Sequence, residues 1–352
     1  MSFPSFPLAP LTSFLYYLGL VVVSTAITWA GSDLLEGAAE RLSTYHRLPA
    51  TVQGAVVVAV GSSFPELSAT VISTLVHGQF DLGVAAIVGS ATFNVLVIPG
   101  LSGLIGKRLD TDRELVYKDA QFYIISVVTL LLVFSVAVVY YPVRGQPLQG
   151  WLRRPVAALP LLLYGLYAFL QEQDARDHRA RVAAGAEELA DIRPLWEWGK
   201  MAASLALIIA GVEGLIRVAL GLGAALETPP FLWGLTVIAI GTSLPDALVS
   251  IQAARRGKSV VSLANVLGSN IFDLLVAVPA GVMIAGATPV DFAVAAPMML
   301  FLTVATIVLF AQLRTGLRLS HTECWVLLGL YGVFVGWMIL ETVGGMNIAF
   351  RV

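Results

Sequence analysis

Residues 61–66 read Gly-Ser-Ser-Phe-Pro-Glu, and residues 241–246 read Gly-Thr-Ser-Leu-Pro-Asp. A second pair of blocks follows at nearly the same offset: residues 88–94 read Val-Gly-Ser-Ala-Thr-Phe-Asn, and residues 267–273 read Leu-Gly-Ser-Asn-Ile-Phe-Asp. Chance similarity between apolar helices would match Leu and Val, whereas these matches fall on Gly, Pro, Ser and acidic residues. The chain therefore contains an internal repeat whose two copies keep the same order of motifs.

The composition places this repeat in a membrane. Of the 352 residues, 57% are apolar and 12% are charged, whereas an ordinary soluble domain carries roughly 25% charged residues. The mean hydropathy is +0.83. Apolar stretches of about 18 or more residues, long enough to cross a bilayer, recur from Leu11 to Leu340. We therefore predict a multi-pass membrane protein surrounded by the lipid bilayer.

The apolar stretches predict ten membrane spans, near residues 11–31, 48–75, 82–105, 119–141, 152–171, 197–222, 230–254, 260–286, 290–312 and 323–343. Each repeat then holds five spans, an odd number, so the two copies cross the membrane in opposite directions. The predicted fold is an all-α integral membrane protein of two inverted five-helix repeats, with broken helices near the midplane. We assign residues 1–171 to the first repeat, 172–196 to a cytoplasmic linker and 197–352 to the second repeat.

Lys and Arg are concentrated in alternate connections between the spans. The connections after the first, third, fifth, seventh and ninth spans hold most of the 21 basic residues, including Lys107, Arg108, Arg113 and Lys118 after the third. Because positive residues stay in the cytoplasm, these connections are predicted to be cytoplasmic. The sequence therefore predicts a cell-membrane protein with both termini outside the cytoplasm.

The first pair of motifs combines a proline with a carboxylate inside a span. Pro65 and Pro245 each lie about midway along a span, where proline removes a backbone donor and leaves acceptor carbonyls. In lipid such acceptors are costly unless another group satisfies them, and a cation can do so. Two hydroxyl residues lie three and four positions before each carboxylate, Glu66 or Asp246, and so share its helix face. These residues are Ser62, Ser63, Thr242 and Ser243.

The second pair of motifs repeats the pattern with i, i+4 spacing, since Ser90 precedes Asn94 and Ser269 precedes Asp273. Every candidate ligand is an oxygen donor, which hard cations such as Ca²⁺ and Na⁺ prefer. The chain has one cysteine and four histidines, and no predicted span contains a histidine. A buried carboxylate costs about 2.5–3.5 kcal/mol at the midplane, so a functional role is predicted for the three in these motifs.

Other acidic residues are predicted to lie near the membrane interfaces. Asp33 and Glu36 fall toward one end of the first span, and Glu213 holds the position in the second repeat that Asp33 holds in the first. Arg217 follows Glu213 by four residues, the spacing of an ion pair on one helix face.

The motif pairs, together with the segment GSDLLEGAAERL at residues 31–42, resemble the two alpha repeats of the sodium/calcium exchanger family, within the calcium/cation antiporter superfamily. This resemblance implies a transporter without a bound cofactor, not an enzyme, that exchanges Ca²⁺ for Na⁺ by alternating access. It implies that Glu66 and Asp246 hold Ca²⁺. It also implies that the ion shells are completed by Ser62, Ser63, Thr242, Ser243 and the carbonyls of Ala59 and Ala239, with flanking Na⁺ sites at Ser90, Asn94, Ser269 and Asp273.

Two departures from the family pattern leave the coupling ion open. Prokaryotic members typically carry Glu where Asp246 stands and Asn where Ala86 stands. The block Gly-Ser-Asn-Ile-Phe-Asp at residues 268–273 is closer to the potassium-dependent branch, so K⁺ is an alternative coupling ion. H⁺ is another, although proton/calcium antiporters usually replace the hydroxyl pair that Ser62 and Ser63 form here.

Functions from other classes fit less well. An intramembrane serine protease needs a general base, and no predicted span contains a histidine. An aspartyl protease needs two aspartates, whereas the repeat pairs Glu66 with Asp246. Residues 256–259 read Arg-Gly-Lys-Ser, but Gln252 stands where a phosphate-binding loop requires Gly. A passive channel would not need the matched pair of broken helices. The net charge of −2 gives no basis for nucleic acid as a partner, and no obligate protein partner is predicted.

Overall fold

The computed structural model describes residues 8–46, 59–106, 109–113, 115–181 and 193–342. Within these ranges, nine helices are long and apolar enough to cross a membrane. The sequence predicts ten spans, and the one that is missing from these nine is the second, residues 48–75. Residues 48–58 lie outside the described part, and the rest of this span is divided into two short helices at Ser63. Lys107, Arg108 and residues 182–192 of the predicted linker also lie outside it.

The first repeat contains the expected succession of helices, because apolar segments in a bilayer must satisfy their backbone hydrogen bonds internally. A π-helical turn, Leu115–Asp119, leads into the fifth helix. The last helix continues beyond the predicted span, so part of the predicted linker is helical. The helices are α1 Leu8–Tyr45, α2 Ala59–Ser62, α3 Phe64–Leu75, α4 Phe80–Ile105, α5 Ala120–Tyr140 and α6 Arg154–Arg181.

The second repeat has the same order with two further π-helical turns, Gly234–Ile238 and Asp273–Ala277. Single π-helical turns within α-helices occur frequently at functional sites, and the second of these begins at a predicted ligand. The helices are α7 Pro194–Ala225, α8 Pro230–Trp233, α9 Ala239–Arg255, α10 Ser259–Phe272, α11 Val278–Ala285, α12 Phe292–Arg314 and α13 His321–Thr342.

The first helices of the two repeats, α1 and α7, pack against each other over much of their length. A Cβ atom on Gly31 would lie 3.0 Å from the backbone nitrogen of Ile208. One on Gly211, the equivalent glycine of the second repeat, would lie 2.8 Å from the carbonyl oxygen of Ser24. Small residues allow such close approach of membrane helices, so the repeated glycines mark a two-fold related contact.

Helix α4 forms the centre of the molecule. The most apolar, membrane-length part of this helix is entirely buried. The helix contacts α3, α9, α10, α12 and α13. A Cβ on Gly89 would collide with the backbone carbonyl of Leu235, so this glycine lets α4 lie directly against the π-helical turn before α9. The Gly-Ser motif of the first repeat thereby touches the second.

Short strands pair a connection of one repeat with a connection of the other, in one sheet at each end of the helical body. One sheet has the order β2-β3-β4, with β2 Pro142–Val143, β3 Gln146–Arg153 and β4 Ala287–Asp291. It is antiparallel, with Gln149 opposite Asp291 and Arg153 opposite Ala287. The other sheet pairs β1 Leu109–Asp110 with β5 Arg318–Leu319. Each sheet joins connections that the charge pattern predicts to lie on one side of the membrane.

Candidate functional site

The four motif segments meet where the two repeats cross. Helix α4, which carries Ser90 and Asn94, packs against α9, which carries Asp246. Helix α3 carries Glu66 in its first turn and packs against the π-helical turn that begins at Asp273. The fold therefore brings together motifs that are far apart in the sequence.

The helix of the first repeat is broken at the predicted place. Helix α2 ends at Ser62, Ser63 forms a turn, and α3 begins at Phe64. Pro65 lies in the first turn of α3, where its missing N–H would have no helical partner in any case. Glu66 thus stands in the first turn of α3, directly after the break.

The second repeat departs from the expected matched break. Helix α9 continues without interruption through Pro245, and its irregular turn, Gly234–Ile238, lies earlier in the chain. A membrane helix tolerates an interior proline when neighbouring helices and a local change of helical pitch compensate for the lost backbone bond. The expectation of a broken helix is therefore confirmed for the first repeat and corrected for the second.

Hydroxyl groups from the two repeats meet in pairs. The Ser90 Oγ lies 2.6 Å from the Ser243 Oγ and 3.5 Å from the Glu66 Oε1. The Ser62 Oγ lies 3.5 Å from the Ser269 Oγ. Each pair joins one residue of the first repeat to one of the second, so the predicted hydroxyl ligands form a single cluster.

The remaining predicted ligand groups are the Thr242 hydroxyl and the carbonyls of Ala59 and Ala239. The Thr242 hydroxyl donates to the carbonyls of Ile238, at 3.1 Å, and Ala239, at 3.3 Å, so the Ala239 carbonyl is already shared with a side chain. Ala59 begins α2, as Ala239 begins α9. Both alanines therefore place their carbonyls on helices that carry a ligand motif.

Asn270 orients Asn94, a role that the sequence did not predict. The Asn94 Nδ2 donates to the Asn270 Oδ1 at 2.9 Å, and the Asn270 Nδ2 lies 3.2 Å from the Ala91 carbonyl and 3.3 Å from the Tyr123 hydroxyl. The Asn94 Oδ1 is a buried acceptor without a hydrogen-bond partner in the part of the chain that the structure describes. The one available signal was the position of Asn270 beside Ser269 in the repeated motif.

Buried oxygen atoms without a hydrogen-bond partner are concentrated at this site. They are the Ser63 Oγ, Glu66 Oε2, Asn94 Oδ1, Asp246 Oδ2 and both carboxylate oxygens of Asp273. The residue exposures of Glu66, Asp246 and Asp273 are 1%, 3% and 0%. Buried polar atoms are almost always paired in proteins, and leaving one unpaired costs about 1–3 kcal/mol. Within the described part of the chain, these oxygens therefore have no hydrogen-bond partner.

The electrostatics lead to the same conclusion. Among the described residues, none of the ion pairs includes Glu66, Asp246 or Asp273, and the three carboxylates interact repulsively. Like charges in a low-dielectric site are costly unless a cation compensates them. In the described part no three His, Cys, Asp or Glu residues alone form a metal-binding group, so hydroxyl, amide or carbonyl oxygens would complete any ion shell.

Glu213 has partners of its own. Its Oε1 lies 2.7 Å from the Arg217 Nε, and its Oε2 lies 2.9 Å from the His77 Nε2. The predicted pair of Glu213 with Arg217 is confirmed, and this carboxylate is not part of the central cluster.

Inverted helical repeats with an acidic, oxygen-lined cluster at their crossing define a class, the membrane transporters for cations. Comparison with known proteins places the chain within that class. Residues 16–172 and 196–340 match the family described as sodium/calcium exchanger protein. The chain belongs to this family, which confirms the resemblance of its motifs.

Relatives and solved structures agree with this assignment. CaxA from Alkalimonas amylolytica is 27% identical over 331 residues, covering 92% of this chain and 96% of CaxA. Sodium/potassium/calcium exchanger 5 from Homo sapiens is 23% identical, over 74% of this chain and 68% of the human protein. A structure of the sodium-calcium exchanger NCX_Mj has a TM-score of 0.61 at 22% identity, covering 92% of this chain and 98% of NCX_Mj. That likeness shows the two-repeat exchanger fold.

Proposed function

We propose that this protein is a secondary active antiporter that exchanges Ca²⁺ for Na⁺ across the membrane. The observation that carries the proposal is the cluster of buried, unpartnered oxygens contributed by Glu66, Asp246 and Asp273. Family membership supports the exchange of cations, and an all-oxygen donor set suits Ca²⁺ and Na⁺.

In this proposal Glu66 and Asp246 supply the charge that a dehydrated Ca²⁺ requires. The residues sit on α3 and α9, equivalent helices of the two repeats, so the ion would lie where the repeats meet. Hydroxyls and carbonyls would complete its shell. The Ser90 and Ser243 hydroxyls hydrogen-bond to each other, and each oxygen retains lone pairs for a cation because a hydroxyl has two acceptor sites.

Asp273 is proposed to couple the two ions. If all three carboxylates are ionised, Ca²⁺ offsets only two of three negative charges, and a remaining buried charge is expensive. We infer that Asp273 takes up a proton when Ca²⁺ is bound and ionises when several Na⁺ ions replace Ca²⁺. Flanking Na⁺ would then use Ser90, Asn94, Ser269 and Asp273.

Potassium-dependent exchange is the second candidate. It is favoured by the similarity to sodium/potassium/calcium exchanger 5 and by Asp273, both of whose oxygens lack hydrogen-bond partners among the described residues. In that case K⁺ would travel with Ca²⁺ and offset the third charge. The two candidates differ in whether Ca²⁺ transport requires K⁺ on the side that supplies Ca²⁺.

The test is uptake of ⁴⁵Ca²⁺ into proteoliposomes under imposed gradients of Na⁺, K⁺ or H⁺. An outward Na⁺ gradient should drive uptake, and collapsing that gradient should stop it. Uptake that needs no counter-ion gradient would indicate a channel, and uptake driven by H⁺ alone would favour a proton/calcium antiporter. Asp110→Asn serves as a matched control, because Asp110 is an exposed carboxylate on β1, outside the site.

The proposed orientation, with both termini outside the cytoplasm, rests on the distribution of basic residues. After Cys324→Ala, we would place single cysteines at Gln79 and Asp110, which are exposed and lie on opposite sides in the predicted topology. Gln79→Cys should react with an impermeant maleimide in intact cells, and Asp110→Cys only after permeabilisation. The reverse pattern would overturn this orientation.

A further inference from the structure

A cleft leads from Asp246 toward one end of the helical body, between α1, α9 and the middle of α10. Four residues of α1 line it, namely Trp29, Ser32, Asp33 and Glu36, and Asn265 lines it from α10. The cleft is therefore continuous with the central oxygen cluster, yet most of its polar side chains belong to none of the four ligand motifs.

The chemistry of the cleft suits a cation. Asp33 and Glu36 contribute two carboxylates, and none of the described residues that line the cleft is basic. Ser32 is 4% exposed, and its Oγ has no hydrogen-bond partner among the described residues. The Asp246 Oδ2, at the inner end of the cleft, also has no hydrogen-bond partner in that part of the chain. Two buried, unsatisfied oxygens thus border the cleft in addition to the two acidic residues near its mouth.

Glu36 and Asp246 interact electrostatically across the cleft. Their carboxylates repel each other, and Glu36 also repels Asp33 and Glu40 on its own helix. Clefts lined by charge of one sign concentrate counter-ions and raise the rate at which they arrive. A cation in the cleft would relieve this repulsion and would lie next to the carboxylate that is proposed to bind Ca²⁺.

The position of the cleft assigns it a side. It lies along the part of α1 that leads to Tyr45 and the part of α9 that leads to Arg255. The connections that follow these helices are the ones that the basic residues predict to be cytoplasmic. The cleft therefore opens on the side that is predicted to face the cytoplasm.

We propose that Ser32, Asp33 and Glu36, together with the Oδ2 of Asp246, form an entrance subsite for Ca²⁺ or Na⁺ on the cytoplasmic side of the transport path. This inference rests on the proposed antiport function and adds a second cation position to it. An ion would first be held, still partly hydrated, by Asp33 and Glu36. It would then pass to Asp246 as its remaining waters are replaced by protein oxygens.

The first test measures Ca²⁺ dependence from each side separately. In proteoliposomes of defined orientation, Glu36→Gln should raise the Ca²⁺ concentration for half-maximal transport on the cleft side by about tenfold, in keeping with the effect of charge in a cleft on local ion concentration. The value on the opposite side should not change. Glu40→Gln is the matched control, since Glu40 is an exposed acid on the same helix and does not line the cleft.

If the wild type transports Ca²⁺ and Glu36→Gln needs the same Ca²⁺ concentration for half-maximal transport on both sides, the entrance subsite is wrong. The proposed function would then remain intact. An equal loss in Glu40→Gln would also overturn the entrance subsite, because the effect would then reflect only general surface charge.

A second test does not depend on transport. Tb³⁺ is a hard cation that prefers oxygen ligands, and its emission is sensitised by nearby tryptophan, here Trp29 in the cleft. Titration of the purified protein should show an emission component that Trp29→Phe removes and that Glu36→Gln shifts to higher Tb³⁺ concentration. If the wild-type protein fails to transport Ca²⁺, the proposed function is wrong, but this titration still tests the subsite. The subsite is rejected if the emission component appears at the same Tb³⁺ concentration in Glu36→Gln as in the wild type.

Discussion

Helices α1 and α7 hold equivalent places in the two repeats, but their acidic residues are used differently. On α7, Glu213 is held by Arg217 at 2.7 Å and by His77 at 2.9 Å. On α1, the equivalent Asp33 lies in a cleft that leads to Asp246. The repeated backbone thus gives a symmetric frame, in which the acidic residue of α7 forms ion pairs while its equivalent on α1 lines an acidic cleft.

This comparison separates what the two repeats share from what distinguishes them. The shared features are Gly31 and Gly211 where α1 crosses α7, the hydroxyl pairs of the central cluster, and one carboxylate on each of α3 and α9. The differences are Asn94 against Asp273, the break at Ser63 against the continuous helix through Pro245, and the two ends of the path. Variants at these positions test whether symmetry at the centre and asymmetry at the ends both matter for transport.

The largest effect is expected where the repeats are most alike. Glu66→Gln and Asp246→Asn should each abolish Ca²⁺ transport, because each removes a charge that the ion requires. Both proteins should remain folded, since neutralising a buried carboxylate without an ionic partner relieves an unfavourable charge. We would measure ⁴⁵Ca²⁺ uptake together with the elution profile and the Tm of each purified variant.

Asp110→Asn, which neutralises an exposed acid on β1, should transport like the wild type. Retained exchange in either Glu66→Gln or Asp246→Asn would remove that residue from the proposed Ca²⁺ site and would make the symmetric centre a structural feature only.

The next effect concerns the position where the second motifs differ. Asp273→Asn gives the second repeat the side chain that the first has at Asn94. Ca²⁺ should still bind, but the Na⁺ concentration needed to displace it should rise by about tenfold, which corresponds to about 1.4 kcal/mol. Competition between Na⁺ and ⁴⁵Ca²⁺ on the purified protein measures this value. A strict K⁺ requirement in the wild type that disappears in Asp273→Asn would instead place K⁺ at this residue.

A smaller effect is expected at the crossing of α1 and α7. A Cβ on Gly211 would lie 2.8 Å from both the Ser24 carbonyl oxygen and the Thr28 backbone nitrogen. Since backbone atoms cannot move aside cheaply, Gly211→Ala should destabilise the protein by about 1–3 kcal/mol. Gly19→Ala is the control, because a Cβ there meets nothing within 4 Å and a helix gains about 1 kcal/mol from the exchange.

Thermal unfolding in detergent should therefore give a lower Tm for Gly211→Ala and an equal or higher Tm for Gly19→Ala. Equal values for the two variants would mean that the helices do not approach as closely as the structure shows.

The sequence predicted the centre of this molecule better than its periphery. The repeated blocks fall on Gly, Pro and acidic residues, whose backbone and charge requirements are visible without neighbours, so the spans and the cluster at Glu66 and Asp246 could be predicted. Asn270 could not, because its contacts with Asn94 and Tyr123 depend on which helices cross. Strand β3 pairs with β4 from the other repeat, and no local pattern indicates so distant a partner.

Proline illustrates the same limit. Pro65 and Pro245 occupy matched positions in the sequence, and the intrinsic effect of proline on a helix is the same at both. The helix nevertheless breaks at Ser63 and continues through Pro245, because packing decides whether the lost backbone bond is compensated. Similarly, Glu36 could be placed near an interface, but only the position of α9 shows that it faces Asp246 across a cleft.

The smallest effect is expected at the end of the molecule where Glu213 forms its ion pairs. The Arg217 side chain is 70% exposed and that of His77 is 17% exposed, and exposed ion pairs contribute only about 0–1 kcal/mol, so Arg217→Gln alone should change little. The double variant His77→Gln/Arg217→Gln frees the Glu213 carboxylate and makes this end resemble the one that holds Asp33. Ca²⁺ should then reach half-maximal transport from this side at a concentration lower by up to about threefold, roughly 0.6 kcal/mol. Adding Glu213→Gln to the double variant should restore the wild-type value, since the gain comes from that carboxylate alone. If the double variant behaves like the wild type on this side, Glu213 does not face the ion path, and the two ends do not differ in the way their side chains indicate.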